Sequence, residues 1–300
     1  MKKTIGIIGL GKMGENIALN LSGKGYNVAV YNRHEEQTRK ISKHRNIIAS
    51  FDYDEFVSNI PKPRTIILMV TAGKPVDNVI GELSRKLNKG DIVIDGGNSF
   101  YEDSIRRYNE LKKKGVHFLD VGVSGGIYGA RHGTCLMIGG EKEVFRKTEQ
   151  LFKDLSVKRG YGYLGKSGAG HFTKMIHNGI EYALIESYAE GYEILNKSKY
   201  KFDFEKISKL WSNGSIIRSY ITELAGNVFK KCNNNLDCVV GKIGGGETGS
   251  WALKTAKKEK VDSQVLEHAL KKRKTSLKKQ SFSTKFVSSI RKEFGGHNEP

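Results

Sequence analysis

The residues Gly9-Leu10-Gly11-Lys12-Met13-Gly14 follow directly on the apolar run Thr4–Ile8 and open a helix-like stretch, Asn16–Leu21. Few local features restrict a fold more. A strand that turns through glycines into a helix aims backbone N–H groups and the positive end of the helix at an anion. Its glycines permit the tight turn and the close approach of a pyrophosphate. The strand–glycine–helix setting separates this fingerprint from a glycine turn kept for packing. A Rossmann-type domain binding a dinucleotide is expected, with Gly9, Gly11, Lys12, Met13 and Gly14 at the cofactor.

The pattern that follows agrees. Val28–Tyr31, Ile66–Val70, Ile92–Asp95, His117–Val121, Cys135–Gly139 and Gly160–Tyr163 read as strands, with amphipathic stretches between them. Such alternation implies a parallel sheet with helices on both sides. After Gly165–Gly170 the periodicity becomes helical throughout: His171–Asn196, Phe204–Ser212, Ser215–Phe229, Ser263–Lys274 and Thr284–Phe294. The expected architecture is an α/β domain over residues 1–166 and an all-α domain over 167–300, serving substrate binding and oligomerisation.

Bulk properties exclude several classes. At 300 residues, 38% hydrophobic and 28% charged, the chain can bury a sizeable core. No apolar run approaches the roughly 18–20 residues of a membrane span, and glycines interrupt the apolar part of the N-terminal Met1–Leu10 stretch, so a cytoplasmic protein is expected. Cys135, Cys232 and Cys238 lack a zinc-ligand pattern and read most simply as free thiols; no metal is expected. A net charge of +19 favours anionic partners. Aromatic interleaving of the lysine runs is missing, so the anion expected is a small substrate rather than nucleic acid.

The second strand ends Tyr31-Asn32-Arg33-His34. An NAD site usually carries Asp or Glu here for the ribose hydroxyls. Asn32 carries no charge to repel a 2′-phosphate, and Arg33 can pair with one, with His34 as a further contact, so NADP is favoured with NAD open. Two later loops, Asp95–Ser99 and Asp120–Gly126, follow strands and can offer N–H groups to a carboxylate. In the helical half, Lys174, His177, Asn178 and Glu181 recur at i, i+3, i+4 and i+7 and so share one helix face. A base, an acid and two hydrogen-bonding groups amid Met175, Ile176, Ile180 and Leu184 suggest the wall of a wet cavity; a solvated helix face is the alternative.

Together the segments Gly9–Gly14, Asn32-Arg33, Met69–Gly73, Ile94–Ser99, Gly122–Gly126, Gly129–Arg131 and Gly170–Tyr182 resemble, in order and over nearly the whole chain, the decarboxylating 6-phosphogluconate dehydrogenases in their short form. The resemblance implies oxidative decarboxylation of 6-phospho-D-gluconate to D-ribulose 5-phosphate, in the pentose phosphate pathway and gluconate utilisation. It implies Lys174 as general base, neutral through burial, and Glu181 as the acid protonating carbon 1. Asn98, His177 and Asn178 would orient hydroxyls, and Ser124, Gly125 and Gly126 would hold the carboxylate. Val70, Thr71, Ala72 and Asn98 would line the cofactor, and Tyr182, Thr248 and Arg273 the substrate phosphate. Arg291 and His297 match a closing pair that in that family enters the neighbouring subunit's site, which implies a homo-oligomer, dimer or tetramer. Gly246 departs from the family pattern, which has a lysine there; Lys242 or the basic run around Lys271 are the candidate substitutes. The alternatives are a β-hydroxyacid dehydrogenase acting on an unphosphorylated acid and a non-catalytic NADP-binding sensor.

Overall fold

The protein, described over residues 3–300 of a computed structural model, divides into two compact units, one ending at Met175 and one spanning Ile176–Pro300. In the first unit the chain alternates β1 (Thr4–Ile8), α1 (Lys12–Gly23), β2 (Asn27–Tyr31), α2 (Glu35–Ile41), β3 (Ile47–Ser50) and α3 (Tyr53–Ser58). It continues with β4 (Thr65–Leu68), α4 (Lys74–Leu83), β5 (Ile92–Asp95), α5 (Tyr101–Lys112) and β6 (His117–Ser124). The unit closes with α6 (Gly126–His132), β7 (Thr134–Gly140), α7 (Lys142–Leu155) and β8 (Ser156–Gly165). One eight-stranded sheet runs in the order β3-β2-β1-β4-β5-β6-β7-β8. The order reverses between β1 and β4, which sets a crevice at the carboxyl ends of those strands.

The strands carry apolar residues on both faces, because helices cover both. Ile7, Val28, Ile67 and Ile94 are buried on one side with Ile17 and Leu21 of α1; Ile66, Leu68 and Val93 are buried on the other with Phe56, Val76 and Leu83. The sheet departs from the expected all-parallel form at one edge. β7 pairs antiparallel with β6, and β8 runs parallel to β7. Only residues 125–133 separate β6 from β7. A parallel crossover needs about a dozen residues or more, so the chain reverses instead. The short edge strand β3 has only Ile47 and Ile48 as an apolar signal and gave no strand reading in the sequence.

α8 (Ala169–Lys197) crosses the division between the units. The second unit adds α9 (Phe204–Ser212), α10 (Tyr220–Cys232), α11 (Glu247–Lys258), α12 (Gln264–Ser276) and α13 (Phe282–Gly295). Two capping boxes fix starts that periodicity leaves loose: Ser219 with Thr222 at α10 and Ser281 with Thr284 at α13. α11 was hidden in the sequence by the glycine run that precedes it, since Gly246 is its N-cap. Tyr192, fully buried, centres this unit's core, with the rings of Phe204, Trp211, Phe229 and Phe286 within 5.7 Å and its hydroxyl 2.6 Å from that of Ser208.

Cys232 and Cys238 form a disulfide, which corrects the reading of free thiols; Cys135 alone is free. The turn after α10 brings the two Cα atoms to 5.1 Å, a separation a disulfide spans. Among the described residues no helix is long and apolar enough to cross a membrane.

Candidate active site

In the first unit the three glycines of the fingerprint have three different surroundings. Gly9 turns at φ +97°, and a Cβ there would lie 2.5 Å from the Met69 carbonyl oxygen at the end of β4. A Cβ at Gly14 would collide with the Gly9 carbonyl oxygen. At Gly11, the N-cap of α1, a Cβ would meet nothing within 4 Å. The outer glycines are therefore demanded by packing. The middle one faces the open space a pyrophosphate would need at the helix N-terminus, with Lys12 exposed and Met13 half-buried beside it. The residues present fit a dinucleotide.

Asn32 holds this loop. Its side-chain carbonyl accepts the Leu10 N–H at 2.9 Å, and its amide donates to the His34 carbonyl at 3.0 Å and to Gln37 at 3.2 Å. Arg33 and His34 are exposed beyond it, with Arg33 Nη2 3.4 Å from His34 Nε2. The next loops meet at Val70: its Cγ1 is 2.9 Å from the Cβ position of Gly9, and its carbonyl oxygen 2.9 Å from that of Gly97. Thr71 is exposed and Ala72 half-buried.

Asn98 is exposed on a loop pinned from below by residues the sequence reading gave no role. Asp95 accepts the Gly97 N–H at 3.1 Å and the Ser99 hydroxyl at 2.7 Å. Arg107, fully buried, donates to Ser99 at 3.0 Å, to Asp77 at 2.8 Å and to the Gly73 carbonyl at 3.1 Å. A guanidinium with its donors satisfied in this way fixes the loop's height. Ser124, Gly125 and Gly126 end β6 and begin α6; Gly125 (φ +120°) and Gly126 (φ +63°) are in backbone conformations that suit glycine.

α8 docks on β6 and β7 through glycines and one carboxylate. Asp120, fully buried, accepts the N–H of Gly168 at 2.7 Å and of His171 at 2.9 Å, and so caps the helix with a negative charge. A Cβ at Gly170 would stand 2.5 Å from the Met137 carbonyl oxygen, and one at Gly139 would stand 2.6 Å from the Gly170 nitrogen. His171 Nδ1 lies 2.8 Å from the Ser104 hydroxyl. One turn on, Lys174 crosses Gly122: a Cβ there would collide with the Lys174 Cβ and lie 3.0 Å from its Cγ. The lysine stem thus occupies the space of the missing side chain, and Lys174 is buried.

Lys174, His177, Asn178 and Glu181 lie on the continuous α8, and its amphipathicity is inverted. Lys174 and Asn178 are each 7% exposed, whereas Ile180 is 64% exposed and Ile176 and Leu184 are also exposed. That excludes a solvated polar stripe.

Within the second unit, His177 Nδ1 is 3.1 Å from Asn178 Oδ1 and 3.9 Å from Glu181 Oε2. The Asn178 amide donates to the Thr248 hydroxyl at 3.4 Å, and the Tyr182 hydroxyl is 3.1 Å from the same oxygen. The Tyr182 ring lies on Gly249, whose Cβ would be 2.5 Å from Cε2, and it carries the Arg273 guanidinium 3.6 Å above its centroid. Arg273 also donates to the Gly244 carbonyl at 3.2 Å.

Arg291 lies beside this group. α13 buries Phe286, Val287 and Ile290 in the unit's own core. That packing carries Arg291 to the glycine loop, with Nη2 3.2 Å from the Cβ position of Gly245. Burial pushes both guanidiniums down, and for Arg291 the neighbouring Arg273 adds to the effect, bringing it to about 10. Among the described residues no carboxylate stands within ion-pair distance of either. Two buried cations side by side, with donors unspent, make an anion site. The Lys242 backbone N–H donates to Glu299 at 2.9 Å. His297 lies past the end of α13, edge-on to Phe294 at 5.9 Å.

Comparison with known proteins bears on the whole assembly. A sequence model of the NAD binding domain of 6-phosphogluconate dehydrogenase matches residues 4–165, and one of the 6-phosphogluconate dehydrogenase C-terminal domain matches residues 170–295. The chain is 41% identical to YqeC of Bacillus subtilis (strain 168), provisionally named a 6-phosphogluconate dehydrogenase, over 98% of both proteins. It is 40% identical to the NAD(+)-dependent, decarboxylating 6-phosphogluconate dehydrogenase of the same organism, covering 90% of this chain and 60% of that relative. The 6-phosphogluconate dehydrogenase of Plasmodium falciparum, solved in apo form, with NADP+ and with 6-phosphogluconate, superposes with a TM-score of 0.83 at 35% identity, over 91% of this chain and 62% of that one. The chain thus spans nearly all of the first relative and about three-fifths of the other two.

Proposed function

The chain belongs to the 6-phosphogluconate dehydrogenase family, and we propose on that premise that it oxidatively decarboxylates 6-phospho-D-gluconate to D-ribulose 5-phosphate and carbon dioxide with reduction of NADP. The observation that carries the reading is the buried pair Arg273 and Arg291 beside Tyr182 and Thr248. An unphosphorylated hydroxyacid has no use for two desolvated guanidiniums; a phosphomonoester, with a charge of about −2, neutralises both.

The nicotinamide ring supplies one capability, acceptance of a hydride from carbon 3 of the substrate. The chain's own residues supply the rest. Lys174, buried, takes the proton of the 3-hydroxyl as carbon 3 becomes a ketone, a step that uses the amine in its neutral form. The product is a β-keto acid. The carboxylate leaves as carbon dioxide, its bonding pair moving toward the ketone, whose oxygen regains a proton from Lys174. Glu181 then protonates the carbon that lost carbon dioxide while Lys174 takes back the enol proton, which restores the ketone. Asn98, His177 and Asn178 orient hydroxyls, and Ser124, Gly125 and Gly126 bind the carboxylate. The electron sink is the ketone itself, and no metal enters the scheme.

Gly9, Gly11, Lys12, Met13 and Gly14 would hold the pyrophosphate, with Val70, Thr71 and Ala72 along the nucleotide. Arg33 and His34 favour NADP, because Asn32 spends its side chain on the loop and offers no carboxylate to a ribose. Ile176, Ile180 and Leu184, exposed at i, i+4 and i+8, suit burial against a second copy and support a homo-oligomer.

The test is cofactor reduction at neutral to mildly alkaline pH with each of NADP and NAD, coupled to measurement of released carbon dioxide. Equimolar reduced cofactor and carbon dioxide are expected, with NADP giving the higher kcat/KM. Absence of 6-phosphogluconate-dependent reduction with either cofactor would falsify the assignment. Lys174→Met should abolish both products, and Glu181→Gln should slow turnover by roughly 10²–10⁴.

A further inference from the structure

Resting on the roles given above to Lys174 and Asn98, we infer that His171 is a positioning residue for hydride transfer: its bond to Ser104 ties the helix that carries the base to the loop that carries Asn98. His171 is 1% exposed and Ser104 is fully buried, and His171 Nδ1 stands 2.8 Å from the Ser104 hydroxyl. His171 lies three residues before Lys174 on α8 and so shares that lysine's side of the helix. Ser104 lies in the first turn of α5, which begins at Tyr101, three residues after Asn98.

The linkage is continuous on the α5 side. Arg107, one turn beyond Ser104, donates to the Ser99 hydroxyl at 3.0 Å, and Ser99 adjoins Asn98. Whatever fixes α5 against α8 therefore fixes Asn98 against Lys174. The two helix starts also touch around the bond. Ser167 Oγ donates to the Ser104 carbonyl at 3.4 Å, a Cβ at Gly168 would lie 2.9 Å from Ile105 Cγ1, and the rings of Tyr101 and Phe172 meet edge-on at 5.0 Å. Apolar contacts press the helices together without setting a direction. A 2.8 Å hydrogen bond is directional and sets the register between them.

The chemistry of the ring favours this role over packing. The Ser104 hydroxyl also reaches the Phe100 carbonyl, at 3.4 Å, and can donate its proton there while it accepts from Nδ1–H. In that tautomer Nε2 is a lone-pair acceptor, and among the described residues it is buried with no hydrogen-bond partner. A leucine would fill much the same space without leaving a buried nitrogen unsatisfied. Stability alone does not call for an imidazole here; a fixed spacing between two groups of the active site does.

The test uses the full chain with 6-phosphogluconate and the better of NADP and NAD. The amide nitrogen of an asparagine side chain takes the place of Nδ1, and that of a glutamine the place of Nε2. His171→Asn should therefore keep kcat within about 3-fold of native, whereas His171→Gln, His171→Leu and Ser104→Ala should each lower it roughly 10–100-fold with KM little changed. Joining His171→Leu to Ser104→Ala should lower kcat no further than the worse single change. Rescue by glutamine rather than asparagine, or a loss confined to KM, overturns the inference. If the His171 variants do not fold, Ser104→Ala decides: a lowered kcat at native KM upholds the inference, and an unchanged kcat overturns it. Amide hydrogen exchange over residues 96–104 gives a reading independent of turnover. It should quicken in Ser104→Ala and His171→Gln and stay native in His171→Asn, and native exchange in all three overturns the inference. Quickened exchange in a chain that reduces neither cofactor with 6-phosphogluconate would instead sink the functional reading and leave the tie between α5 and α8 standing.

Discussion

The hydrogen in place of a side chain at Gly122 decides where Lys174 can be. The lysine stem fills the volume a Cβ would take, and its own Cβ is the atom a methyl group would strike. That atom is fixed to the helix backbone and cannot swing away as a side-chain tip could. Gly122→Ala should therefore push the start of α8 off β6, at a stability cost of about 1–3 kcal/mol, and shift the amine enough to lower kcat roughly 10²-fold. A native far-UV spectrum with a strongly reduced kcat is the expected pair of readings. Unchanged kcat in a folded variant would mean that Gly122 does not set the position of the base. Lys174, His177, Asn178 and Glu181 were legible in the sequence because helical spacing alone puts them on one face. Gly122 was visible only as a motif glycine, since nothing local says which distant side chain needs its room. Asp120 and Arg107 were missed as holders of the site for the same reason: their partners, Gly168 and His171 for one and Ser99 and Asp77 for the other, are set by the fold.

Among the elements, the stretch joining α10 to α11 is organised by a single carboxylate. Glu299 accepts N–H bonds from Val240 at 2.9 Å, Gly241 at 2.5 Å and Lys242 at 2.9 Å, and the Ser288 hydroxyl at 2.9 Å. Burial pushes its pKa up, but these bonds outweigh burial and hold it below the ordinary carboxyl value. A depressed folded-state pKa contributes stability above the unfolded-state value and loses it as pH falls through the folded one. Glu299→Gln should accordingly cost about 1–2 kcal/mol at pH 7, the difference between charge-assisted and neutral bonds. The gap to the native protein should close as both are acidified below about pH 3. Denaturant midpoints at the two pH values would show it, and an equal gap at both would contradict the charge-based account. The loop leads directly into Gly244–Gly246, so the same variant should raise KM for the phosphorylated substrate more than it lowers kcat.

For the whole molecule, the inverted amphipathicity of α8 points beyond the single chain. Ile176, Ile180 and Leu184 remain in solvent while a lysine and an asparagine on the same helix are buried. A helix rarely leaves three large apolar residues in a row uncovered. Ile180→Glu should reduce the molar mass found by light scattering relative to the native protein, and an identical mass for both would remove this face from any subunit contact. The net charge of +19 bears on the encounter with substrate rather than on the fold. It concentrates anions near the surface, an effect that salt screens over about 8–10 Å.

The sequence alone determined what depends on neighbours along the chain. The glycine fingerprint after an apolar run, the alternation of strands and helices, the change to continuous helix near residue 165 and the polar stripe of α8 are all periodic or local, and each survives in the structure. Tertiary packing decided what depends on residues far apart. It carried Arg291 of α13 to Arg273 of α12 and laid Lys174 across Gly122. Those outcomes follow from which apolar faces bury together, and a linear pattern shows that a face is apolar without showing what will cover it.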